Sequence, residues 1–144
     1  YGQGDFTIEG WFYFNSFSTS QKLYVDIASA TTYWQLYYVN GTGLTFRANN
    51  TGINVNAGST LSLNTWYHIA LTREGSTYNV YVDGTSVIST TTTHQIGNNS
   101  EKAIGGTALS ATESLDGYIQ DFRLTKGLAR YTANFTPPTE PFKG

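Results

Sequence analysis

Residues 66–84 read WYHIALTREGSTYNVYVDG. Within 66–73 and 78–83 the β-branched and aromatic side chains recur at every second residue, the spacing by which a pleated strand buries one face and which a helix cannot use. Glu74-Gly75-Ser76-Thr77 joins the two runs and Asp83-Gly84 follows the second. Both are turn chemistry, so the stretch predicts a hairpin that continues through a second turn into a third strand at 86–89. On the first strand Ile69 and Leu71 share one face, with His68, Ala70 and Thr72 on the other.

The same period extends outward from this meander. In 5–14 (DFTIEGWFYF) Phe6, Ile8, Phe12 and Phe14 fall on the face assigned to the core, and Thr7, Glu9, Trp11 and Tyr13 on the opposite one. Further strands are expected at 23–27, 33–39 and 44–48, the last two joined by a tight turn at Asn40-Gly41-Thr42-Gly43, with a weak strand at 53–55 in an otherwise polar loop. Residues 90–100, with four consecutive threonines, read as a long surface loop before a short segment at 102–106. In 117–125 (GYIQDFRLT) strict alternation cannot turn Ile119, Phe122 and Leu124 inward together, which predicts a β-bulge near Gln120 and Asp121. The tail, 127–144, carries all three prolines along with Leu128, Tyr131, Phe135 and Phe142; it is expected to lie over the body as a strap, with one turn of helix at most.

The chain has 144 residues, enough for one domain with one core. Its 39% hydrophobic and 15% aromatic content excludes disorder, while only 12% of residues are charged, so the surface is polar but nearly neutral. A net charge of −2 leaves no basic patch for phosphate backbones or anionic lipids, and no apolar run is long enough to cross a bilayer as a helix; neither nucleic acid nor membrane insertion is expected. The absence of cysteine removes disulfides, thiolate metal sites and thiol nucleophiles together. Methionine is also absent, even at position 1, which reads as an excerpt or a processed form.

Nine or ten short strands in one open sheet would leave an oily face wet, whereas two packed sheets bury it. The expected fold is therefore all-β, a two-sheet antiparallel β-sandwich of jelly-roll type, in a single domain over 1–144. The runs FTIEGWFYF, WYHIALTREGSTYNVYVDG, LDGYIQDFRLTKG and GLARYTANFTPPTEPF together resemble laminin-G-like domains of the concanavalin A-like lectin and glucanase superfamily, with the nearest likeness to copies in phage and marine viral structural proteins and bacterial surface proteins. The resemblance covers most of the chain. It implies a jelly-roll module that binds glycans or acts as an adhesive or structural element, and it implies no reaction. It also implies a strand or two ahead of GDFTIEGWFYF, so that one sheet edge is expected to be unfilled or completed by a partner chain.

The residues themselves carry little catalytic chemistry. The superfamily's glucanases set paired acids on one strand as Glu-x-Asp-x-Glu, a spacing absent here, and Glu9 has no acidic neighbour at i+2 or i+4. His68 and His94 are the only imidazoles, and His68 reads as a hydrogen-bonded structural residue. No Gly-x-Ser-x-Gly elbow or phosphate-cradling Gly-Lys-Thr loop occurs. A glycan platform has both its ingredients, aromatic rings for the apolar sugar faces and planar polar groups for the hydroxyls. Trp11 and Tyr13 lie opposite the core face, and if Leu36 is buried then Trp34 and Tyr38 share its side while Tyr33, Gln35 and Tyr37 point out. The bland alternative is that these rings cover the sheet or meet a neighbouring subunit. The resemblance further implies calcium at the sandwich rim; Asp26, Asp83, Asp116 and Asp121 are the available hard ligands in this sequence, with Asp26 and Asp121 the candidates, although Asp121 has Arg123 and Arg130 as alternative partners and Asp83 an alternative role as a turn residue before Gly84.

The expectation is a non-catalytic adhesive or structural module on a virion or cell surface that holds glycans weakly, with no cofactor unless calcium is bound. The alternative is a structural subunit of a fibre, shell or filament that packs against its own copies as a homo-oligomer.

Overall fold

The computed structural model describes residues 4–58, 61–92, 99, 101–108 and 110–143. Ten strands form two antiparallel sheets: β1 (Phe6–Phe14), β2 (Gln21–Ser29), β3 (Thr32–Val39), β4 (Gly43–Ala48), β5 (Ile53–Asn56), β6 (Trp66–Glu74), β7 (Thr77–Val82), β8 (Thr85–Thr91), β9 (Glu101–Ile104) and β10 (Gly117–Lys126). One sheet runs β10-β1-β6-β7-β8 and the other β5-β4-β3-β2-β9. The meander β6-β7-β8 forms as its alternation requires, with Ile69 opposite Val82 and Val80 opposite Ile88. The expected loop at 90–100 falls partly outside the described residues; β8 extends through Thr91 at its start.

The inward faces meet in a core dominated by rings. Phe6 packs on Trp34 with centroids 5.9 Å apart, Phe46 on Tyr78 at 5.6 Å and Phe14 on Tyr38 at 5.7 Å, each pair bridging the two sheets. Phe6, Ile8, Phe12 and Phe14 are all buried, as period two requires, and so are Trp34, Leu36 and Tyr38. Burying an aromatic side chain on this scale is worth about 1.5–3 kcal/mol, so these pairs fix the sheet stacking on which both outer faces depend.

Two local departures from regularity position the rest. The β1/β10 register slips between Glu9, opposite Arg123, and Trp11, opposite Gln120, so that Asp121 and Phe122 face the single residue Gly10. Asp121 takes φ of 50° to make this bulge, which turns Phe122 inward against Tyr24 (6.0 Å) while leaving both Gln120 and Arg123 on the outside. The tail crosses the outer face of the β1-containing sheet as a strap, without joining it as a strand and with no turn of helix among the described residues. Its attachments include side-chain ones, through Thr7 and Glu9 to Arg130 N–H and the Tyr131 hydroxyl, and two backbone bonds, Gly127 N–H to Asp5 O at 2.7 Å and Phe135 N–H to Gly84 O at 2.9 Å. Pro137, Pro138 and Pro141 hold Thr136, Pro137 and Glu140 to extended conformations.

Candidate functional site

The two outer faces differ in kind. On the β3-containing sheet, Tyr33, Gln35 and Tyr37 stand on the central strand, where Leu36 opposite Phe46 fixes their parity. Tyr33 and Gln35 line a groove of about 210 Å³ together with Lys22, Val25, Arg47, Thr107 and Glu113. Its far wall is the segment after β9, which folds back because Lys22 N–H donates to Glu113 O and Leu115 N–H to Gly105 O. Lys22 sits over the Tyr37 ring (4.2 Å) and pairs with Glu113 at 3.0 Å, and Arg47 lies over the Tyr33 ring at 5.6 Å. Burial pushes the Tyr37 hydroxyl above its ordinary pKa, partly opposed by Arg47, so it stays a neutral donor and acceptor. Gln35 is only 7% exposed, yet its amide has no hydrogen-bond partner among the described residues. The amide is not sealed from solvent at the groove floor, so a ligand can take up its donors and acceptor there.

On the opposite face Glu9 is buried at the centre of a polar cluster. Its Oε1 accepts from Arg123 Nη2 at 2.7 Å and Nε at 2.9 Å; its Oε2 accepts from the Tyr131 hydroxyl at 2.8 Å and meets His68 Nε2 at 3.2 Å. Burial alone pushes the Glu9 carboxyl up, but the hydrogen bonds from His68, Arg123 and Tyr131 and the charge of Arg123 outweigh it and hold the group below its ordinary value. Burial and the Glu9 carboxylate together push Tyr131 up to about 12. The His68 ring is boxed edge-on by Trp11, Tyr131, Phe135 and Phe142 at 5.4–6.2 Å. Glu9 is thus the anchor of the tail, with its lone pairs engaged, and the histidine is the hydrogen-bonded structural residue its strand position suggests.

Beside this cluster the tail arches over a wider cleft. Trp11 and Trp66 line it from the sheet, Asp83, Gln120 and Asp121 from the turns and the bulge, and residues 136–141 from above, enclosing about 670 Å³. Tyr13 packs against Trp66 at 5.4 Å and Tyr118 at 5.6 Å, at the rim of the same face. The five aromatic and amide candidates read from the sequence therefore divide between two faces, Trp11 and Tyr13 on one and Tyr33, Gln35 and Tyr37 on the other.

Asp26 and Asp121 stand in different sheets. Asp26 is fully buried, receives the Asn99 backbone N–H at 3.0 Å and lies 3.6 Å from Lys102 Nζ; burial pushes its carboxyl above the ordinary value, with Lys102 and Asn99 opposing. Asp121 lines the tail cleft, while Arg123 turns to Glu9 and Arg130 to Thr125. No group of three His, Cys, Asp or Glu side chains with metal-binding geometry occurs among the described residues.

Sequence reasoning missed Lys22, Arg47 and Glu113 in the groove and Trp66 and Gln120 in the cleft. Parity could have found two of these, since Arg47 alternates with buried Phe46 and Trp66 shares the outward side of His68. The fold-back of residues 105–116 has no periodic signal.

Two five-stranded sheets stacked through an aromatic core, with one outer face grooved and the other strapped, define a sandwich of the lectin and glucanase type. Residues 2–128 match the Laminin_G_3 family, described as the Concanavalin A-like lectin/glucanases superfamily, and the chain belongs to that family. Among solved structures it is similar to the CBM40 of the Ruminococcus gnavus IT-sialidase (TM-score 0.74, 14% identity, 90% of this chain and 79% of that one). It is also similar to domain 4 of AbnA, a GH43 extracellular arabinanase from Geobacillus stearothermophilus in complex with arabinotriose (0.73, 15%, 89% and 63%), and to domains LG4-5 of the mouse laminin alpha1 chain (0.66, 19%, 95% and 42%). The chain thus spans less than two thirds of the arabinanase domain and under half of the laminin pair. No curated protein matches it.

Proposed function

We propose that this chain is a non-catalytic glycan-binding module and that the groove over β3 is its sugar site. The observation that carries this reading is the groove floor formed by Gln35 and Tyr33, with Lys22, Arg47 and Glu113 around it. A pyranose stacked on a tyrosine ring would offer its hydroxyls to the amide, the guanidinium and the carboxylate at once. The sandwiches it resembles include a CBM40 bound to alpha2,3 sialyllactose and the arabinanase domain with arabinotriose, which supports the ligand class. Binding without hydrolysis fits the state of the acids: Glu9 has its oxygens occupied, Asp83 and Glu140 are exposed, and Asp26, the carboxyl that burial raises, is fully buried and lines neither the groove nor the cleft. Display on the outside of a cell or virion is the setting such a module suits, and the extracellular arabinanase is in keeping with it.

A glycan array run on the wild-type chain and on Tyr33→Ala and Gln35→Ala variants tests the site. Saturable signals that both variants abolish are expected; signals that survive both would reject the groove. The second reading, a structural subunit that packs against its own copies, draws on Tyr118 and Leu124, which are 59% and 40% exposed on the edge strand β10, with Leu128 50% exposed beside it. Size-exclusion chromatography separates the two: a sugar-binding monomer supports the first, and sugar-blind oligomers support the second.

A further inference from the structure

We infer that the cleft beneath the tail is a second carbohydrate site, independent of the groove over β3, and that it takes an uncharged saccharide by stacking on Trp11 and Trp66. The two indoles are diagonal neighbours on one sheet face, since Trp11 pairs with His68 and Trp66 with Tyr13. Diagonal positions lie roughly 7–8 Å apart, which sets the rings under adjacent sugars of one chain. Trp66 is 38% exposed, a large apolar surface left in water at the mouth of the cleft. The enclosed volume of about 670 Å³ is that of a ligand site.

The wall opposite the indoles is held in place before any ligand arrives. Residues 136–141 span between two fixed rings: Phe135, stacked on Tyr131 at 3.5 Å and bonded through its N–H to Gly84 O, and Phe142, which lies under the Arg123 guanidinium at 4.1 Å and against His68 at 6.0 Å. Pro137, Pro138 and Pro141 stiffen the span by fixing their own φ angles. A surface already ordered loses little entropy when it binds. This wall lies beyond residues 2–128, the segment matched to the family.

Charge selects the ligand. Asp83, Asp121 and Gln120 present oxygens that accept sugar hydroxyls, and no Lys or Arg lines the cleft. Carboxylated or sulfated sugars would meet Asp83, Asp121 and Glu140 on the cleft's own lining, with Arg123 and Lys143 set in the adjoining hollow, whereas the groove on the other face carries Lys22 and Arg47. The two sites would therefore sort uncharged from acidic glycans.

Titrating cellohexaose, an uncharged chain of flat pyranose faces, into the full chain while following indole fluorescence and calorimetric heat tests the assignment. Saturable binding is expected. Trp66→Ala should weaken it about tenfold or more, Gln120→Ala on the edge strand should weaken it less, and Gln35→Ala should leave it unchanged, while a hexagalacturonate gives no heat at this site. Circular dichroism of each variant guards against unfolding, and Trp66 is exposed enough for its truncation to spare the core. The inference is overturned if cellohexaose, xylohexaose and mannohexaose all fail to bind, if binding survives both Trp66→Ala and Gln120→Ala, or if reducing ends are released. Loss of binding in Gln35→Ala alone would overturn the independence of the two sites and leave the groove as the one binding surface.

Discussion

Beneath the tail, Glu9 gives both carboxylate oxygens to Arg123, Tyr131 and His68; on the opposite face Gln35 lies nearly as deep and gives its amide to nothing among the described residues. Both are polar groups on the outer side of a sandwich, set there by the same period-two parity. The difference teaches how burial and access separate: the first set lies under a lid of rings with its carboxylate fully engaged and only His68 Nδ1 left without a partner, while the second lies at the floor of an open groove where it can reach solvent.

The comparison breaks most visibly at Glu9. Glu9→Ala leaves Arg123 without its counter-ion and opens a void beneath Tyr131, and should cost about 3–5 kcal/mol in urea unfolding; a loss under 1 kcal/mol would mean the cluster is not what holds the tail. The pH dependence follows in sign. Because the Glu9 carboxyl is held below its ordinary value in the fold, its contribution is fully present above the unfolded-state value and is lost as pH falls through the lower folded one. Stability should therefore fall on acidification below the ordinary carboxylate range, and Glu9→Gln should flatten that limb in thermal melts recorded from neutral pH downward. Asp26 works the other way: its raised pKa makes the charged form a burden at neutral pH, partly relieved as acid protonates it. Asp26→Asn should then remove a contribution of opposite slope, steepening the acid limb.

Gly84→Ala acts on the tail alone. A Cβ there would lie 1.7 Å from Phe135 O, and Gly84 holds φ of 77°, so the side chain is excluded by both contact and backbone. About 1–2 kcal/mol of strain is expected, relieved by lifting the tail; limited proteolysis should cut within 128–143 while the sandwich stays intact. The smallest effect belongs to the open face. Gln35→Ala should shift stability by only about 0.5–1 kcal/mol while abolishing groove-dependent glycan signals. If Gln35→Ala instead unfolds the chain, the amide is structural and the contrast with Glu9 disappears.

Much of this was legible in the sequence, for reasons that differ by feature. The sandwich follows from alternation, which states burial residue by residue, and the family resemblance agrees with it. The bulge at Asp121 was readable because three apolar residues in GYIQDFRLT conflict with strict parity, and the slipped register with its positive φ is the physical answer. The outward placement of Tyr33, Gln35 and Tyr37 followed from the burial of Leu36. What parity cannot supply is who meets whom across the surface. Glu9 looked like an isolated acid, and its partners Arg123 and Tyr131 come from 114 and 122 residues away. The same limit hid the division of the aromatic candidates between two faces, since alternation tells inside from outside but not which outside.

The extra residue at Asp121 has one more consequence, for how this edge of the molecule can change over generations. It is one residue more than the pairing with β1 requires, since Ile119 stands opposite Phe12 and Leu124 opposite Ile8 on its two sides. Swapping its side chain for Gly or Asn is a small perturbation, and deleting the codon would leave GYIQFRLT, in which Ile119, Phe122 and Leu124 alternate without a break. Lineages descending from this gene should therefore tolerate a loss of length at this site, whereas losing Arg123 instead would turn Leu124 over to the opposite face.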